Sequence, residues 1–477
     1  MKQKTEHYNL LVEDWIPVLW NDGKFSRVGI MEALTQAGRI RQIAASNPMD
    51  RIAIVRFLLA LLYWCKGNRP EEGSFISYDS FPADWFSKLD AYRDRFNLLG
   101  EERRFYQDRE AQRSRASTDL IQEIPTGNNF WHFRHSTDKT DGLCASCCAM
   151  GLLRLPLFSV SGLPDLMAGI NGPPPIYVVH WGTSLLDILW ANWATCLELG
   201  DPTWVSPNIS PTAHKEVPLL TGLTLLSRRV WLHRPSEPPG TCAGCGAKEA
   251  VLIRTCQFQT AGKQENGLWN DPHVVYLDKT PRKSLKAADL TTTGTFRMDR
   301  PWANLLARIA ETGKFVCGKK PTSVFIVGFA TDRAKNIDVW ERTVEVPSSE
   351  SVQETAISLL RHWHKEGGRL EKRIGRSKVE RETTIAAIRP HIEDSVSAKA
   401  GELLAEGEDS WEQAAREYRT MMAVIARSLS PGFTTASVLR RQKIAYLMPN
   451  MGQKKQKLIR SLVGTEEGTD ECNGSVH

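Results

Sequence analysis

The sequence lacks the features that mark secreted, membrane-spanning and repetitive proteins. It has no internal repeat and no low-complexity tract, and its start, MKQKTEHYNLLVEDW, lacks the apolar core of a signal peptide. The most apolar stretch, Ile52 to Cys65, is interrupted by Arg56. It is too short to span a bilayer and predicts a buried helix. These absences favour the cytoplasm.

The sequence also lacks the motifs of common enzyme classes, because it contains no HExxH, no GxSxG and no acidic pair in a shared turn. GKFVCGKK, Gly313 to Lys320, approaches the phosphate-binding loop GxxxxGK[ST]. However, Lys320 replaces the hydroxyl residue that would hold magnesium, and Pro321 follows it. We therefore predict that the chain is not an enzyme.

Length and patterning indicate more than one domain, since 477 residues exceed what a single core usually organises. Residues 1–350 mix strand-like and helix-like segments and predict a large mixed α/β domain. Residues 351–465 are almost entirely helix-like and predict a bundle of about four helices, and residues 466–477 predict a disordered tail. The expected fold class is α+β.

Several elements can be predicted individually. Thr322–Phe329 and Ile337–Val346 have strand patterns, and the polar segment Ala330–Asn336 between them predicts the turn of a hairpin. Amphipathic helices are predicted over Ser184–Leu199, Asp299–Gly313 and Ser410–Leu429.

Two cysteine pairs carry the strongest chemical signal. Cys144 and Cys147, and later Cys242 and Cys245, are each separated by two residues. A CxxC turn presents two thiolates to one ion, and zinc takes four such ligands in a tetrahedron. In a reducing cytoplasm paired cysteines more often bind metal than form disulfides. The two pairs predict a closed, structural Zn²⁺ site that joins distant parts of the chain.

Other interpretations of these residues remain open. The pairs could be two unrelated surface turns, and a mixed site could include Cys148, His132 or His135. A zinc-dependent nuclease or hydrolase would need an open metal position and a general base, for which His132, His135 or His273 would have to serve. A stand-alone zinc-ribbon RNA-binding protein is a further alternative.

Net charge is only +6, from 61 basic and 55 acidic residues, which permits anionic partners without requiring them. Three Lys- and Arg-rich clusters occupy the predicted bundle, at Arg361–Lys378, Arg440–Lys443 and Lys454–Lys457. Each could be a solvated helix face or could bind a phosphate backbone or a neighbouring protein.

Seven short motifs, in order along the chain, resemble the large subunit of the type I-E CRISPR surveillance complex, Cascade (the CasA-like proteins). They are NLLVEDWIPV at Asn9, TGNNFW at Thr126, CASC at Cys144, AGINGPPP at Ala168, CAGC at Cys242, NGLWNDPH at Asn266 and GFATDRAKN at Gly328. The resemblance implies a mixed α/β domain with a Cys₄ zinc site, a C-terminal four-helix bundle and no chemistry of its own.

The resemblance also implies a function. Such a subunit recognises the protospacer-adjacent motif (PAM) on double-stranded DNA, helps to open the strands for the guide RNA in an R-loop, and recruits a helicase–nuclease. Expected partners are therefore the other Cascade subunits with guide RNA, target DNA and a nuclease component.

The family reads the PAM with a glycine-containing loop, a lysine finger and a hairpin wedge. Gly162 and Pro164 occupy the loop, and Arg333 and Ala334 occupy the hairpin tip, where the family commonly begins its wedge with glutamine. Lys263 is the nearest candidate for the finger, although an ungapped match lands on Thr260.

The motif at Thr126 resembles a loop that docks onto a neighbouring subunit near the 5′ handle of the guide. Its expected contact residues are Asn128, Asn129, Phe130 and Trp131.

Overall fold

The structure is a computed structural model that describes residues 8–70, 80–122, 142–160, 169–193, 198–206, 216–249, 251–260, 268–274, 276, 284, 286–287, 323–332 and 335–345. All of these except Val344 and Glu345 belong to one compact unit, which comprises residues 1–291 and 315–343. The predicted bundle with its basic clusters, and the predicted helix Asp299–Gly313, lie outside the described residues.

The described residues form a mixed α/β fold, as predicted for this part of the chain. The helices are α1 (Ile30–Thr35), α2 (Pro48–Lys66), α3 (Lys88–Ala91), α4 (Ala145–Phe158), α5 (Leu185–Asn192) and α6 (Leu219–Thr224), and 3₁₀ turns span Ala83–Phe86, Arg93–Phe96 and Ser117–Leu120. The strands are β1 (Ile16–Trp20), β2 (Phe25–Val28), β3 (Ile40–Ile43), β4 (Ser114–Ala116), β5 (Tyr177–Trp181), β6 (Arg228–Leu232), β7 (Gly240–Thr241), β8 (Lys248–Glu249), β9 (Thr255–Thr260), β10 (Ser323–Asp332) and β11 (Lys335–Glu345).

These strands form small sheets rather than one large sheet. Three sheets have three strands each, in the orders β2-β1-β3, β11-β10-β5 and β4-β9-β6, and β7 pairs with β8. In the second sheet Tyr177 of β5 lies opposite Val327 of β10. In the third, Arg228 of β6 lies opposite Thr260 of β9. Each of these two sheets therefore joins segments that are distant in sequence.

Helix α2 is the central buried element. The side chain of Asn47 accepts a hydrogen bond from the Met49 amide at 2.8 Å, Pro48 occupies the first turn, and Gly67 ends the helix with a φ of +83°. Fifteen of its nineteen residues are buried, including Arg56. A helix that is apolar on all sides belongs inside a core, which confirms the prediction from the sequence. None of the helices within the described ranges is both long and apolar enough to cross a bilayer.

Helix α4 packs against α2 and connects Cys144, at its start, to the segment that follows Phe158, at its end. It begins directly after Cys144 and ends at Phe158, so its fourteen residues span about 21 Å. Arg154 of α4 and Asp50 of α2 are both buried and form an ion pair, with Arg154 Nε 2.7 Å from Asp50 Oδ1. This pair fixes the two helices relative to each other.

Two predicted boundaries were wrong. The turn of the hairpin is shorter than Ala330–Asn336, because β10 continues to Asp332 and β11 begins at Lys335. The strand ladder uses backbone groups, so polar side chains at its end do not interrupt it.

The helix predicted over Ser184–Leu199 ends earlier, at Asn192. The next residue, Trp193, leaves the helical conformation, and its fully buried indole donates a hydrogen bond to Gly67 O at 3.0 Å.

The first testable prediction concerns the ion pair between α2 and α4. Arg154→Met removes one member of a buried pair and leaves Asp50 uncompensated, so we expect a loss of about 3–5 kcal/mol in the free energy of unfolding. The matched control is Lys24→Met, because Lys24 pairs at 3.0 Å with Asp22 and both side chains are exposed. An exposed pair contributes about 0–1 kcal/mol. Urea unfolding of both variants measures the difference, and equal losses would contradict the assignment.

Candidate metal centre and the buried polar network

The four cysteines of the two CxxC pairs converge on one point. The Sγ atoms of Cys144, Cys147, Cys242 and Cys245 all lie within 4.8 Å of one another, and those of Cys144 and Cys245 are 3.8 Å apart. Four sulfurs at about 2.3 Å from a tetrahedral zinc ion would be separated by about 3.8 Å. A disulfide needs about 2.05 Å, so the spacing suits a shared ion and not a bridge. The predicted clustering is confirmed.

Local backbone structure presents each pair. Cys144 is the N-cap of α4, and the Sγ atom of Cys144 accepts a hydrogen bond from the Cys147 amide at 3.5 Å. Cys242 and Cys245 occupy the turn between β7 and β8, which closes through the Cys242 amide and Ala247 O at 2.8 Å. A Cβ on Gly244 would come within 2.9 Å of Cys147 Sγ, so glycine permits the close approach of the two pairs.

The electrostatics of the cluster favour bound cations. Hydrogen bonds from Cys144 and Cys147 lower the pKa of Cys242 to about 6 and hold the pKa of Cys245 far below its ordinary value. Two thiols therefore lose their protons easily, and a divalent ion would displace the remaining two protons. The half-buried guanidinium of Arg27 lies beside Cys245 and offsets the negative charge of the thiolates.

The donor set fits a closed thiolate site for an ion such as zinc. Within the described ranges, the candidate metal cluster contains these four cysteines and no other residue. Cys148 is fully buried and is not among the clustered ligands, while His132 and His135 lie outside the described residues. Four cysteines fill a tetrahedral shell, which leaves no position for a reactive water. A bound ion would supply folding energy rather than catalysis.

A buried polar network lies elsewhere in the same unit, around Arg56. Its guanidinium donates to both carboxylate oxygens of Asp271, at 2.6 and 2.8 Å, and lies over the ring of Tyr177 at 5.1 Å. The Asp271 carboxylate also accepts hydrogen bonds from Asn171 Nδ2 and from the His273 amide, both at 3.0 Å. His273 Nδ1 lies 2.8 Å from Arg56. His273 therefore belongs to this network and not to the cysteine cluster.

The groups around Asp271 keep its carboxyl group ionised. Complete burial alone would raise the pKa of this carboxyl, but the Arg56 guanidinium outweighs burial and lowers it. The carboxylate therefore remains ionised at neutral pH, and Arg56 remains its counterion. Sequence reasoning missed this network, although Arg56 inside an otherwise apolar helix was a signal that a buried partner had to exist.

The remaining predicted site residues lie outside the described residues. These are the loop residues Gly162 and Pro164, the finger candidate Lys263, the hairpin tip Arg333 and Ala334, and the docking-loop residues Asn128, Asn129, Phe130 and Trp131. Thr260, the alternative finger position, is the last residue of β9.

Comparison with known proteins gives a consistent result. The profile of the CRISPR-associated protein Cse1 family matches residues 9–444. The CRISPR-associated protein CasA/Cse1 of Thermus thermophilus is 35% identical over 140 residues, an alignment that spans 28% of each chain.

Solved structures show the same fold. The crystal structure of CasA from Thermus thermophilus superposes with a TM-score of 0.70 at 18% identity, over 94% of this chain and 100% of that one. A chain of a CRISPR RNA-guided surveillance complex superposes with a TM-score of 0.64 at 14% identity, over 94% and 99%.

The second prediction concerns the metal. We expect the purified chain to contain one zinc ion, and Cys147→Ser to lose that ion and to unfold at a lower temperature, because one ligand is removed from a closed shell. Cys148→Ala is the matched control, since Cys148 is buried one residue away but lies outside the cluster. Elemental analysis and thermal unfolding, with and without a chelator, measure both effects. Full zinc content in Cys147→Ser would contradict the site.

Proposed function

The chain belongs to the CRISPR-associated protein Cse1 family, and from that premise we propose that it is the large subunit of an RNA-guided Cascade complex that reads the PAM on duplex DNA. In this role it starts strand separation, so that the guide RNA can pair in an R-loop, and it recruits or positions a nuclease. Cse1 (CasA) is a noncatalytic subunit of Cascade, so family membership confirms that the chain is not an enzyme.

The observation that carries this proposal is the common anchoring of the segments expected to contact DNA. The stretch with Gly162 and Pro164 follows Val160, and the stretch with Lys263 follows Thr260. Val160 O accepts a hydrogen bond from Arg228 at 2.9 Å, and Arg228 lies opposite Thr260 in the sheet. The two stretches therefore start from adjacent points.

The same two stretches also end at adjacent points. The described chain resumes at Gly169 after the first and at Leu268 after the second. Two and three residues further on, Asn171 and Asp271 are joined by their hydrogen bond of 3.0 Å, in the network around Arg56. Segments that begin at adjacent points and end at adjacent points of a rigid base can present their side chains to one ligand.

The hairpin leaves from the same region. Phe158, two residues before Val160, lies with its ring 6.4 Å from that of Phe329 in β10, and 5.2 Å from that of Tyr177 in β5. Strand β10 then runs to Asp332, directly before Arg333. This geometry supports a joint action of Gly162, Lys263 and Arg333 on a single duplex.

The physical requirements of PAM reading agree with this arrangement. In RNA-guided systems base pairing reads the target sequence, and the protein needs to read only a short flank. A side chain pushed between base steps from the minor groove unstacks them. Arg333 has the length to insert and a charge that phosphates attract.

The remaining parts of the proposal are supported by the resemblance of the sequence motifs to this family. The cysteine cluster holds a structural Zn²⁺ ion, residues 351–465 form a helical bundle that contacts DNA or neighbouring subunits, and Asn128–Trp131 dock near the guide. The complex acts in the prokaryotic cytoplasm. These assignments make the protein a recognition subunit in antiviral defence.

The third prediction tests PAM reading directly. Guide-loaded complex assembled with this chain should prefer particular flanks in a library of duplexes randomised beside the target, and complex without it should not. Arg333→Ala should weaken that preference, because the expected wedge is removed. Arg39→Ala is the matched control, since Arg39 is an exposed arginine between α1 and β3. An unchanged flank preference without the chain would assign PAM reading to another subunit.

The fourth prediction tests the shared anchor. Asn171→Ala removes the hydrogen bond between the segments that follow the two stretches and should reduce flank preference, while the free energy of unfolding falls by about 1.5–3 kcal/mol, as for a hydrogen bond to a charged group. Asn21→Ala is the control, because Asn21 is an exposed asparagine that donates one hydrogen bond, to Gly38 O at 2.9 Å. Binding to the library and urea unfolding are measured for both. If Asn171→Ala loses stability but keeps its full flank preference, the hydrogen bond between Asn171 and Asp271 has a structural role only.

A further inference from the structure

An arginine-rich pocket of about 160 Å³ opens beside β6. Its volume greatly exceeds the roughly 10–15 Å³ that one water molecule requires. The charged residues of its lining are four arginines, Arg95, Arg103, Arg104 and Arg109, and two carboxylates, Glu102 and Asp108. The lining is therefore cationic.

The carboxylates do not neutralise the arginines. Asp108 is already paired with Arg229, at 3.4 Å, and Glu102 is exposed to solvent. Arg103 and Arg109 are also exposed, and neither has a hydrogen-bond or ion-pair partner among the described residues. Two guanidinium groups at the rim are thus available to an anion.

Arg104 is held in place inside the pocket. Its guanidinium lies 3.9 Å from the centre of the Trp231 ring, and its Nη1 atom donates to Leu232 O at 2.6 Å. Partial burial, followed by the nearby charges of Arg234 and Arg109, lowers the pKa of Arg104 to about 10. It is still protonated at neutral pH, and its charge lacks a carboxylate counterion within the described chain.

Two aromatic residues line the pocket as well, Trp204 and Trp231, and Trp204 is only 4% exposed. The adjacent backbone is unusual, because Tyr106 has a φ of +53°, a conformation that is concentrated at functional sites in non-glycine residues.

We propose that this pocket binds a phosphate group of a single-stranded nucleic acid, with Arg103, Arg104 and Arg109 as the cations. Guanidinium groups match phosphate oxygens in geometry as well as charge. Basic grooves with aromatic side chains are typical of single-strand binding. A single strand can turn one phosphate into a concave pocket, whereas a stacked duplex presents its phosphates on a convex surface. The proposal depends on the pocket and not on PAM reading.

The test measures binding of the full-length chain to a short labelled single-stranded RNA by fluorescence anisotropy, with unlabelled duplex DNA and inorganic phosphate as competitors. Arg103→Gln/Arg109→Gln should weaken binding about tenfold or more, since two charge-assisted contacts are lost. The slope of log affinity against log salt should fall by about 0.7 for each lost phosphate contact. Inorganic phosphate should compete for the pocket.

The matched control is Arg39→Gln/Arg41→Gln, which removes the same charge from two exposed arginines outside the pocket. It should leave affinity nearly unchanged. Equal weakening by both double variants would overturn the proposal in favour of non-specific attraction. Stronger competition by duplex DNA than by unlabelled RNA would overturn it in favour of a duplex site, and absence of binding by the folded wild-type chain would overturn it outright. Flank preference of the complex should not change in Arg103→Gln/Arg109→Gln, which separates this site from the proposed PAM contacts.

Discussion

The ion pair between Arg56 and Asp271 is the constraint on which the rest of this unit depends. A guanidinium inside a helix that is buried on all sides needs a counterion, and an isolated buried charge would cost several kcal/mol. Asp271 supplies it from 215 residues away, with two hydrogen bonds. In doing so it brings residues 268–274 to α2, and its remaining lone pairs hold Asn171 and the His273 backbone. The pair thereby determines where three distant segments meet.

The cysteine cluster and this network act on opposite ends of one helix. Cys144 and Cys147 hold the start of α4, Phe158 at its end packs on Tyr177 of the network, and Arg154 joins its second half to α2. The helix is continuous from Ala145 to Phe158, with Pro156 only in its last turn, so the position of its end follows from the position of its start. An ion at the cysteines can therefore determine where the chain emerges at Val160 without touching a ligand.

Features that depend on local pattern could be predicted from the sequence, such as the burial of α2 and the neighbouring strands β10 and β11. The meeting of the two distant CxxC pairs could also be predicted, because each motif on its own indicates metal chemistry. Long-range partners without such a motif could not be predicted, because nothing near Arg56 indicates that Asp271 is its counterion. The early end of α5 depends on the burial of Trp193 against Gly67, which is also a tertiary effect. The arginine pocket combines residues 95–109 with Trp204 and Trp231, which no single stretch of sequence brings together.

The pairing of each arginine says more about nucleic-acid contact than the net charge of +6. Arg56 and Arg154 are buried and neutralised by Asp271 and Asp50, so their charges hold the fold together. Arg228 is buried too, and it donates to backbone oxygens of Ser227 and Val160. Arg103 and Arg109, by contrast, are exposed and have no carboxylate partner within the described chain. Only exposed arginines without an internal partner can exchange water for phosphate without breaking an internal contact. Such arginines beside aromatic rings are therefore the positions at which a weakly basic protein can bind nucleic acid strongly.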